Sequence, residues 1–198
     1  MSIVATEADG PLYVQALPCD GRPGSTSNLN LDAAGQTRAG LAVVRFDAGG
    51  HACLFVSAPT HLVVDLQGYL TAGAFDDVSD TRLLDTRDGA RPGDGAIREI
   101  LGRPNASGFV SVVATETSAP LYVQVLPCDA TPGATSNVNA DRAGATVAGA
   151  AIVHFDERGR ACVFTNRASH LVVDLQGWFS PTAIEDVADQ RILDTRTS

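Results

Sequence analysis

The sequence predicts an all-β protein built from two tandem homologous modules, each a β-sandwich-like unit of about seven strands with Ig-like or Greek-key character. In the stretch 60–69, Thr-His-Leu-Val-Val-Asp-Leu-Gln-Gly-Tyr, apolar and polar residues alternate with a period of two. This period is typical of a strand with one face in a core, and the adjacent valines favour a pleated surface over a helix. The stretch returns at 169–178 as Ser-His-Leu-Val-Val-Asp-Leu-Gln-Gly-Trp.

The repeat extends over nearly the whole chain without a gap. Cys128 follows Cys19 by 109 residues, and the other matching positions keep this interval. More than half of the aligned positions are identical, which indicates a tandem duplication. We therefore predict a first module over 1–87, a glycine- and proline-rich connector over 88–109 and a second module over 110–198. Either module is long enough to bury its own core.

The composition argues against several classes of function. A net charge of −9 disfavours nucleic acid or an anionic membrane surface as a partner. No apolar run approaches the ~20 residues that a membrane span needs, so we expect no membrane insertion. The sequence contains no lysine, which excludes a Schiff-base lysine and the lysine of a phosphate-binding loop.

Motifs of the common enzyme classes are also missing from the sequence. It has no Gly-x-Ser-x-Gly elbow, no His-Glu-x-x-His pair and no glycine-rich phosphate loop. The histidines at matching positions, His61 and His170, each precede an aspartate by four residues, which places the two groups about 13 Å apart along a strand. They cannot form a hydrogen-bonded dyad within one strand. We predict a protein that is not an enzyme and has no catalytic residue, metal or cofactor.

The four cysteines predict two disulfide bonds, Cys19–Cys53 and Cys128–Cys162, each between the end of one predicted strand and the start of another. Such a bridge contributes about 3–4 kcal/mol in the chain-entropy description. Buried free thiols in a cytosolic protein are the alternative, and a metal site fits poorly because no second ligand lies at metal spacing. Disulfides imply an oxidising, extracytoplasmic location. Because the repeat starts at Met1 with no signal peptide before it, we expect a mature or trimmed fragment.

Alternation and turn residues predict the strands of the first module, which are Ile3–Glu7, Pro11–Pro18, Thr37–Asp47, Ala52–Ser57 and His61–Tyr69. The turns at 9–10 and 47–50 predict hairpins between the strands that they join. The loop at 20–27 leads to Asn28 and Asn30, which recur as Asn137 and Asn139. Asparagine in such places usually satisfies backbone groups, and sugar recognition is the alternative interpretation.

Beyond 70 the sequence predicts less regular structure. The acidic stretch 71–80 favours a solvated connector over a calcium site, because it lacks the spacing of an EF-hand loop. The segment 82–87, Arg-Leu-Leu-Asp-Thr-Arg, predicts a short edge strand whose charges discourage aggregation. Within the connector, 96–101 fits a single strand or a helical turn.

The outward face of the repeated strand is the candidate ligand face. Its residues are His61, Asp65, Gln67 and Tyr69 in the first copy and His170, Asp174, Gln176 and Trp178 in the second. Imidazole, carboxylate, amide and aromatic groups are the ones that sugar hydroxyls and pyranose rings contact. A solvated or interdomain sheet face with the same residues is the competing interpretation.

The combined motifs resemble a tandem repeat module of secreted and cell-surface proteins of actinobacteria and some other bacteria. They are Leu-Tyr-Val followed by Pro-Cys, Ser-Asn-x-Asn, the Cys-bearing strand, His-Leu-Val-Val-Asp-Leu-Gln-Gly and Arg-x-Leu-Asp-Thr-Arg. The resemblance implies a secreted or cell-surface location and a repeat architecture. It also implies that the Arg-x-Leu-Asp-Thr-Arg segment precedes a module, so the first module lacks its leading segment and 191–196 has no module after it.

This mismatch predicts a candidate donated strand, made of Arg191, Ile192, Leu193, Asp194, Thr195 and Arg196. A strand without a module and a module without that strand permit donation between chains, which gives rings or open filaments. The alternative is that each such segment closes its own module. We expect a non-catalytic structural or adhesive repeat of a bacterial surface protein or fibre, whose partners are its own copies or neighbouring modules. A carbohydrate-binding module that contacts surface glycans is the alternative function.

Overall fold

The computed structural model describes residues 1–133, 135–185, 187, 191–193 and 195, with Asp80 described for its backbone alone. The predicted all-β class is confirmed, because the regular elements are strands in antiparallel sheets. In the described part of the chain, no helix has the length and apolar character needed to cross a membrane.

The chain forms two sets of strands, which we call the first unit and the second unit. The first unit contains β1 (Ser2–Thr6), β2 (Leu12–Pro18), β3 (Leu29–Leu31), β4 (Arg38–Leu41), β5 (Ala52–Val56) and β6 (His61–Asp65). The second unit contains β7 (Phe75–Asp85), β8 (Ala96–Leu101), β9 (Ser107–Thr115), β10 (Leu121–Leu126), β11 (Val138–Ala140), β12 (Val147–His154), β13 (Arg160–Thr165) and β14 (His170–Phe179). Among the described residues, the strand ladders stay within one set.

Each unit has two sheets with matching strand orders. The first unit has the orders β4-β1-β6 and β3-β2-β5, and the second has β12-β9-β14-β7 and β11-β10-β13-β8. By the 109-residue interval, the first six strands of one unit correspond to β9–β14 of the other. The second unit therefore has two edge strands, β7 and β8, that have no counterpart in the first unit within the described part of the chain.

The strand pairing in 75–109 differs from what the sequence predicted for this part of the chain. β7 includes the Arg82–Asp85 stretch and pairs with β14, in the second unit, instead of closing the first module. The predicted acidic connector at 71–80 is wrong for 75–80, which begins β7. The predicted connector 88–109 contains β8, which pairs with β13, and the start of β9. Arg82–Asp85 does lie in a sheet edge strand, as predicted.

Both predicted hairpins are wrong, because consecutive strands lie in different sheets. β1 pairs with β4 and β6, whereas β2 pairs with β3 and β5. The turn at 47–50 does form, with the Gly50 amide donating to the Asp47 carbonyl at 3.0 Å, but β4 and β5 do not pair. Because the chain crosses between sheets at these turns, the apolar faces of the two sheets of a unit pack against each other around one core.

The predicted strand 37–47 is shorter in the structure, where β4 ends at Leu41. Its counterpart β12 continues to His154, because its last residues pair with the first half of β9, 107–110. β1 begins at Ser2 and offers no partner of that kind. The difference in length is therefore caused by the pairing partner, since the residues of the two copies are similar.

Both predicted disulfides are present, and the described residues contain no free cysteine. Cys19–Cys53 joins the end of β2 to β5, and Cys128–Cys162 joins the corresponding places in the second unit; each pair has a Cα–Cα distance of 4.9 Å. Two disulfides indicate an oxidising environment outside the cytoplasm.

The repeated asparagines hold the backbone, as the non-ligand interpretation predicts. Asn28 Oδ1 accepts from the Ala16 amide and Asn137 Oδ1 accepts from the Val125 amide, both at 2.7 Å. These bonds fix the loop that leads from β2 to β3 and its copy after β10.

Candidate assembly site at an open sheet edge

The first unit has an open sheet edge at β6, which has β1 as its only pairing partner among the described residues. The apolar residues of this strand and its extension are exposed, although their copies in β14 are core residues. Leu66 is 50% exposed and its copy Leu175 is 4% exposed. Val63 and Val64 are also exposed, whereas both copies are buried. An unpaired, apolar edge is a template for another strand.

In the second unit this edge is covered by β7. β7 pairs antiparallel with β14, with Leu84 opposite Val173 and Phe75 opposite Phe179. The β7 side chains Val78, Leu83 and Leu84 pack against the core of the second unit. The burial of the β14 residues therefore depends on a neighbouring strand that β6 does not have.

An ion pair attaches β7 to β14. Arg82 Nε donates to Asp174 Oδ1 at 2.5 Å, and within β7 Arg82 Nη1 donates to Asp85 Oδ2. Burial lowers the pKa of the Arg82 guanidinium, but its bonds to Asp174 outweigh this effect and hold the pKa above its ordinary value. Hydrogen bonding from Arg87 holds the pKa of Asp85 far below its usual range. In the first unit the copy of buried Asp174 is Asp65, which is exposed.

A threonine completes the attachment directly after the C-terminal end of β7. Thr86 Oγ1 lies 3.2 Å from His170 Nδ1 and accepts from the Leu171 amide at 2.9 Å. His170 is buried, whereas its copy His61 is exposed. Both histidines lie near a glutamate, with His61 Nε2 3.8 Å from Glu7 Oε2 and His170 Nε2 3.9 Å from Glu116 Oε2. The two histidines therefore differ in burial and in the contact with Thr86.

A glycine marks the space that the covering strand fills. A Cβ on Gly177 would overlap the ring of Phe75, but a Cβ on the equivalent Gly68 would meet no atom within 4 Å. A cavity of about 350 Å³ lies beside Gly68, lined by first-unit residues that include Phe46, Leu66 and Tyr69 and by Phe75 and Asp77 of β7. The space next to Gly68 is therefore open, whereas Phe75 fills the equivalent space next to Gly177.

The C-terminal segment, residues 180–198, repeats the sequence of 71–89, which contains β7. Ile192 and Leu193, the copies of the packed Leu83 and Leu84, are 95% and 77% exposed. Val187, the copy of Val78, is exposed as well. Of the predicted donated strand, Asp194 and Arg196 lie outside the described residues. Arg191, Ile192, Leu193 and Thr195 are described and belong to no strand.

The candidate ligand face differs between the two copies. His61, Asp65, Gln67 and Tyr69 are exposed in the first, whereas His170, Asp174 and Trp178 are buried in the second and Gln176 is half-buried. Trp178 lies in the core against Phe155, at a ring-centroid distance of 5.3 Å, with the Arg103 guanidinium 5.1 Å from the indole. The prediction that Trp178 points outward is wrong, because the strand register shifts between Leu175 and Gly177 and ends the simple alternation.

The two units contact each other through residues 26–32 and through two arginines. Residues 26–32, which we call the inter-unit loop, comprise the end of the β2–β3 loop, β3 and Asp32, and lie against the sheet of the second unit. Arg82 Nη2 donates to the Ser25 carbonyl at 3.0 Å, and Arg45 pairs with Asp77 at 3.4 Å. Asn28 Nδ2 donates to Gln176 Oε1 at 3.1 Å, and Ser111 Oγ donates to the Ser27 carbonyl at 2.5 Å. Asp32 Oδ2 accepts from the Thr146 amide at 3.0 Å and pairs with Arg142 at 2.8 Å.

The sequence interpretation missed β7 residues 75–80 and all of these inter-unit contacts. A signal for the first was available, since Asp77, Val78 and Asp80 recur at the 109-residue interval. The described residues contain no group of three His, Cys, Asp or Glu side chains arranged to hold a metal. Comparison with family models, curated proteins and solved structures finds no match to this chain.

Proposed function

We propose that this protein is a non-catalytic structural repeat of a bacterial cell-surface protein or fibre that assembles head to tail by strand donation. The C-terminal segment of one copy adds to the open edge of β6 in the next. The observation that carries the proposal is the exposure of apolar residues on both sides of this contact, in a chain whose second unit buries their copies against one another.

The β7–β14 ladder supplies the register of the proposed contact. Leu193 lies opposite Val64, Arg191 lies opposite Asp65, and Ile184 covers Gly68, by the 109-residue interval. Thr195 takes the place of Thr86 next to His61. Because donor and acceptor surfaces differ, the contact is heterologous and generates an open filament or a ring.

Two blocked variants test the proposal. Leu193→Asp places a charge on the donated strand, and Val64→Asp places one on the acceptor strand, so each variant is expected to be monomeric. The parent protein is expected to grow in mass with concentration, and a mixture of the two variants to form a 1:1 dimer, because each retains one intact partner surface. Multi-angle light scattering measures all of these masses.

Two matched controls separate the strand contact from added charge. Thr182→Asp changes the C-terminal segment before the pairing stretch, and His51→Asp changes an exposed position away from β6. Both are expected to assemble like the parent. A parent protein that stays monomeric up to millimolar concentration, or a Leu193→Asp variant that assembles normally, would disprove strand donation.

The disulfides support an extracellular location for this function. They form in oxidising compartments and stabilise small units that build a limited core. The resemblance of the sequence motifs to repeat modules of secreted bacterial proteins agrees with that location.

A second candidate function is carbohydrate binding at the first unit. Tyr69 is 77% exposed and lies beside Phe46, with a centroid distance of 6.2 Å, at the edge of the cavity described above. An exposed ring next to polar groups is suited to stacking on a pyranose. A glycan array tests this: binding that is lost in Tyr69→Ala and kept in Tyr69→Phe supports it, and a parent protein that binds no glycan disproves it.

A further inference from the structure

The residues that form the contact between the two units of one chain are repeated elsewhere in the same chain. The repeated residues lie on two different surfaces, one on each unit. The inter-unit loop 26–32 recurs as 135–141, and Ser27, Asn28 and Asp32 recur as Ser136, Asn137 and Asp141. The receiving residues in the second unit are Ser111, Thr146 and Gln176. They recur in the first unit as Ser2, Thr37 and Gln67. All six residue types are identical between the copies.

The copies differ from their originals in burial. Ser27 and Asn28 are buried under the inter-unit contact, whereas Ser136 is exposed and Asn137 is half-buried. Ser111 is buried, whereas Ser2 is half-buried, and Thr37, Gln67 and Asp141 are exposed. The chain thus carries two pairs of matching surfaces. One pair forms the contact between its own units, and the other pair is not in contact within the chain.

Strand donation would bring the second pair together. Within one chain, residues 67–74 connect the first unit to β7, and the inter-unit loop lies on the sheet that β7 completes. Residues 176–183 occupy the matching place in the second copy: 176–179 end β14, and 180–183 lead to the strand that the next molecule receives. A donated strand in the register of the β7–β14 ladder therefore brings the second unit of one molecule, with its loop 135–141, next to the β1–β6 sheet of the next.

We propose that the surface formed by Ser2, Thr37 and Gln67 is a docking site for loop 135–141 of a second copy of this chain. This inference rests on the proposed strand donation and names a second, polar contact between the same two molecules. Asn137 Nδ2 donates to Gln67 Oε1, Ser2 Oγ donates to the Ser136 carbonyl, and Asp141 accepts from the Thr37 amide. Each bond repeats a bond between the two units of one chain.

The docking site gives the assembly a fixed geometry. A donated strand alone leaves the two molecules connected by a flexible segment, whereas a loop anchored at three points fixes their relative orientation. Successive units along the assembly are then related by the same rotation and translation, whether the junction lies within a chain or between chains. The Arg142–Asp32 pair is an exception, because the copy of Arg142 is Ala33.

The test uses the two full-length blocked chains, in which Leu193→Asp leaves an acceptor and Val64→Asp leaves a donor. Gln67→Ala or Ser2→Ala is added to the acceptor, or Asp141→Ala to the donor, and the dissociation constant of the 1:1 dimer is measured by analytical ultracentrifugation. Each change removes one hydrogen bond and is expected to weaken the dimer about fivefold. Gln176→Ala, which affects only the contact within a chain, is the control and is expected to leave the dimer unchanged.

A synthetic peptide of residues 180–198 separates the two contacts, because it carries the donated strand without loop 135–141. It is expected to bind the acceptor chain more weakly than the donor chain does, with an affinity that Gln67→Ala and Ser2→Ala do not change. If the peptide binds but these changes leave the dimer within twofold of the parent, the docking site is disproved and strand donation stands. Equal weakening of peptide and dimer also disproves it. If neither peptide nor donor chain binds, both proposals fail.

Discussion

The two units have closely similar sequences and differ in how completely those sequences are buried. Leu175 and Trp178 belong to the core of the second unit, while Leu66 and Tyr69 are exposed in the first. The residues that differ between copies do not explain this, since the stretch 61–68 is identical to 170–177. The difference follows from β7, β8 and the longer β9, which among the described residues belong to the second unit alone. An alternating strand is therefore buried only when its neighbours are present.

The largest expected effect of this difference concerns the aromatic residue after each repeated strand. Trp178→Ala leaves a cavity next to Phe155 and should lower the free energy of unfolding by about 3–5 kcal/mol. Tyr69→Ala removes an exposed ring and should change it by less than about 0.5 kcal/mol. Urea denaturation followed by far-ultraviolet circular dichroism measures both. Similar losses in the two variants would contradict the comparison.

Removing one disulfide at a time should make the units unfold separately. Each bridge closes a loop with a sequence separation of 34 residues and contributes about 3–4 kcal/mol. Without Cys19–Cys53 the first unit, which has the smaller core, should unfold at a lower urea concentration. Fluorescence of Trp178, the single tryptophan, reports the second unit and should show little change.

The matched control replaces Cys128 and Cys162 with serine. That variant should shift the fluorescence transition, since Trp178 and Cys162 are both buried in the second unit. The interpretation is wrong if removing Cys19–Cys53 shifts the fluorescence transition as much as removing Cys128–Cys162.

Substitutions at Gly177 and at its copy Gly68 test whether the space next to Gly68 is open. Gly177→Ala forces a methyl group into the ring of Phe75 and should cost about 1–3 kcal/mol of stability. Gly68→Ala adds the same group where no atom lies within 4 Å, and the stability of the isolated chain should hardly change. Calorimetry of both variants decides this; a large loss in Gly68→Ala would show that the first unit is already closed. Under strand donation, Gly68→Ala should instead weaken assembly.

The smallest expected effect is the pH dependence of the inter-unit contact. Burial raises the pKa of Asp32, but bonds from the Thr146 amide and Gln36 and the charge of Arg142 outweigh it, so the folded-state pKa is lowered. The carboxylate therefore stabilises the folded chain above its unfolded pKa of about 4. This contribution is lost as the pH falls from about 4 through the lower folded value.

Asp32→Asn should remove that part of the acid dependence, lowering stability by about 1 kcal/mol at pH 7 and less at pH 3. Asp141→Asn, at the exposed copy, is the control and should leave the stability of the isolated chain unchanged. Thermal unfolding between pH 3 and pH 7 gives both curves. An Asp32→Asn curve parallel to that of the parent would contradict the assignment.

The sequence predicts the local features of this fold well, because they depend on nearby residues. Both disulfides and the edge position of Arg82–Asp85 are present as expected, and the repeated strand forms in both copies, although in the first it ends at Asp65 instead of the predicted Tyr69. What the sequence does not determine is pairing between distant strands. Local alternation cannot show that Arg82 pairs with Asp174 and not with Asp65, or that a register shift turns Trp178 into the core. Turn residues likewise predict a reversal of direction without showing that the next strand enters the other sheet.

The position of the disulfides limits how far the protein can stretch under load. When tension is applied at the two ends of a chain, residues between bonded cysteines cannot be extended even after their unit unfolds. Each bridge shields the 34-residue separation between its cysteines, so at ~3.4 Å per residue each unit yields roughly 115 Å less length than a reduced one. A fibre of such units would lengthen in short steps as its units unfold. In every unit the residues between the bonded cysteines would stay unextended.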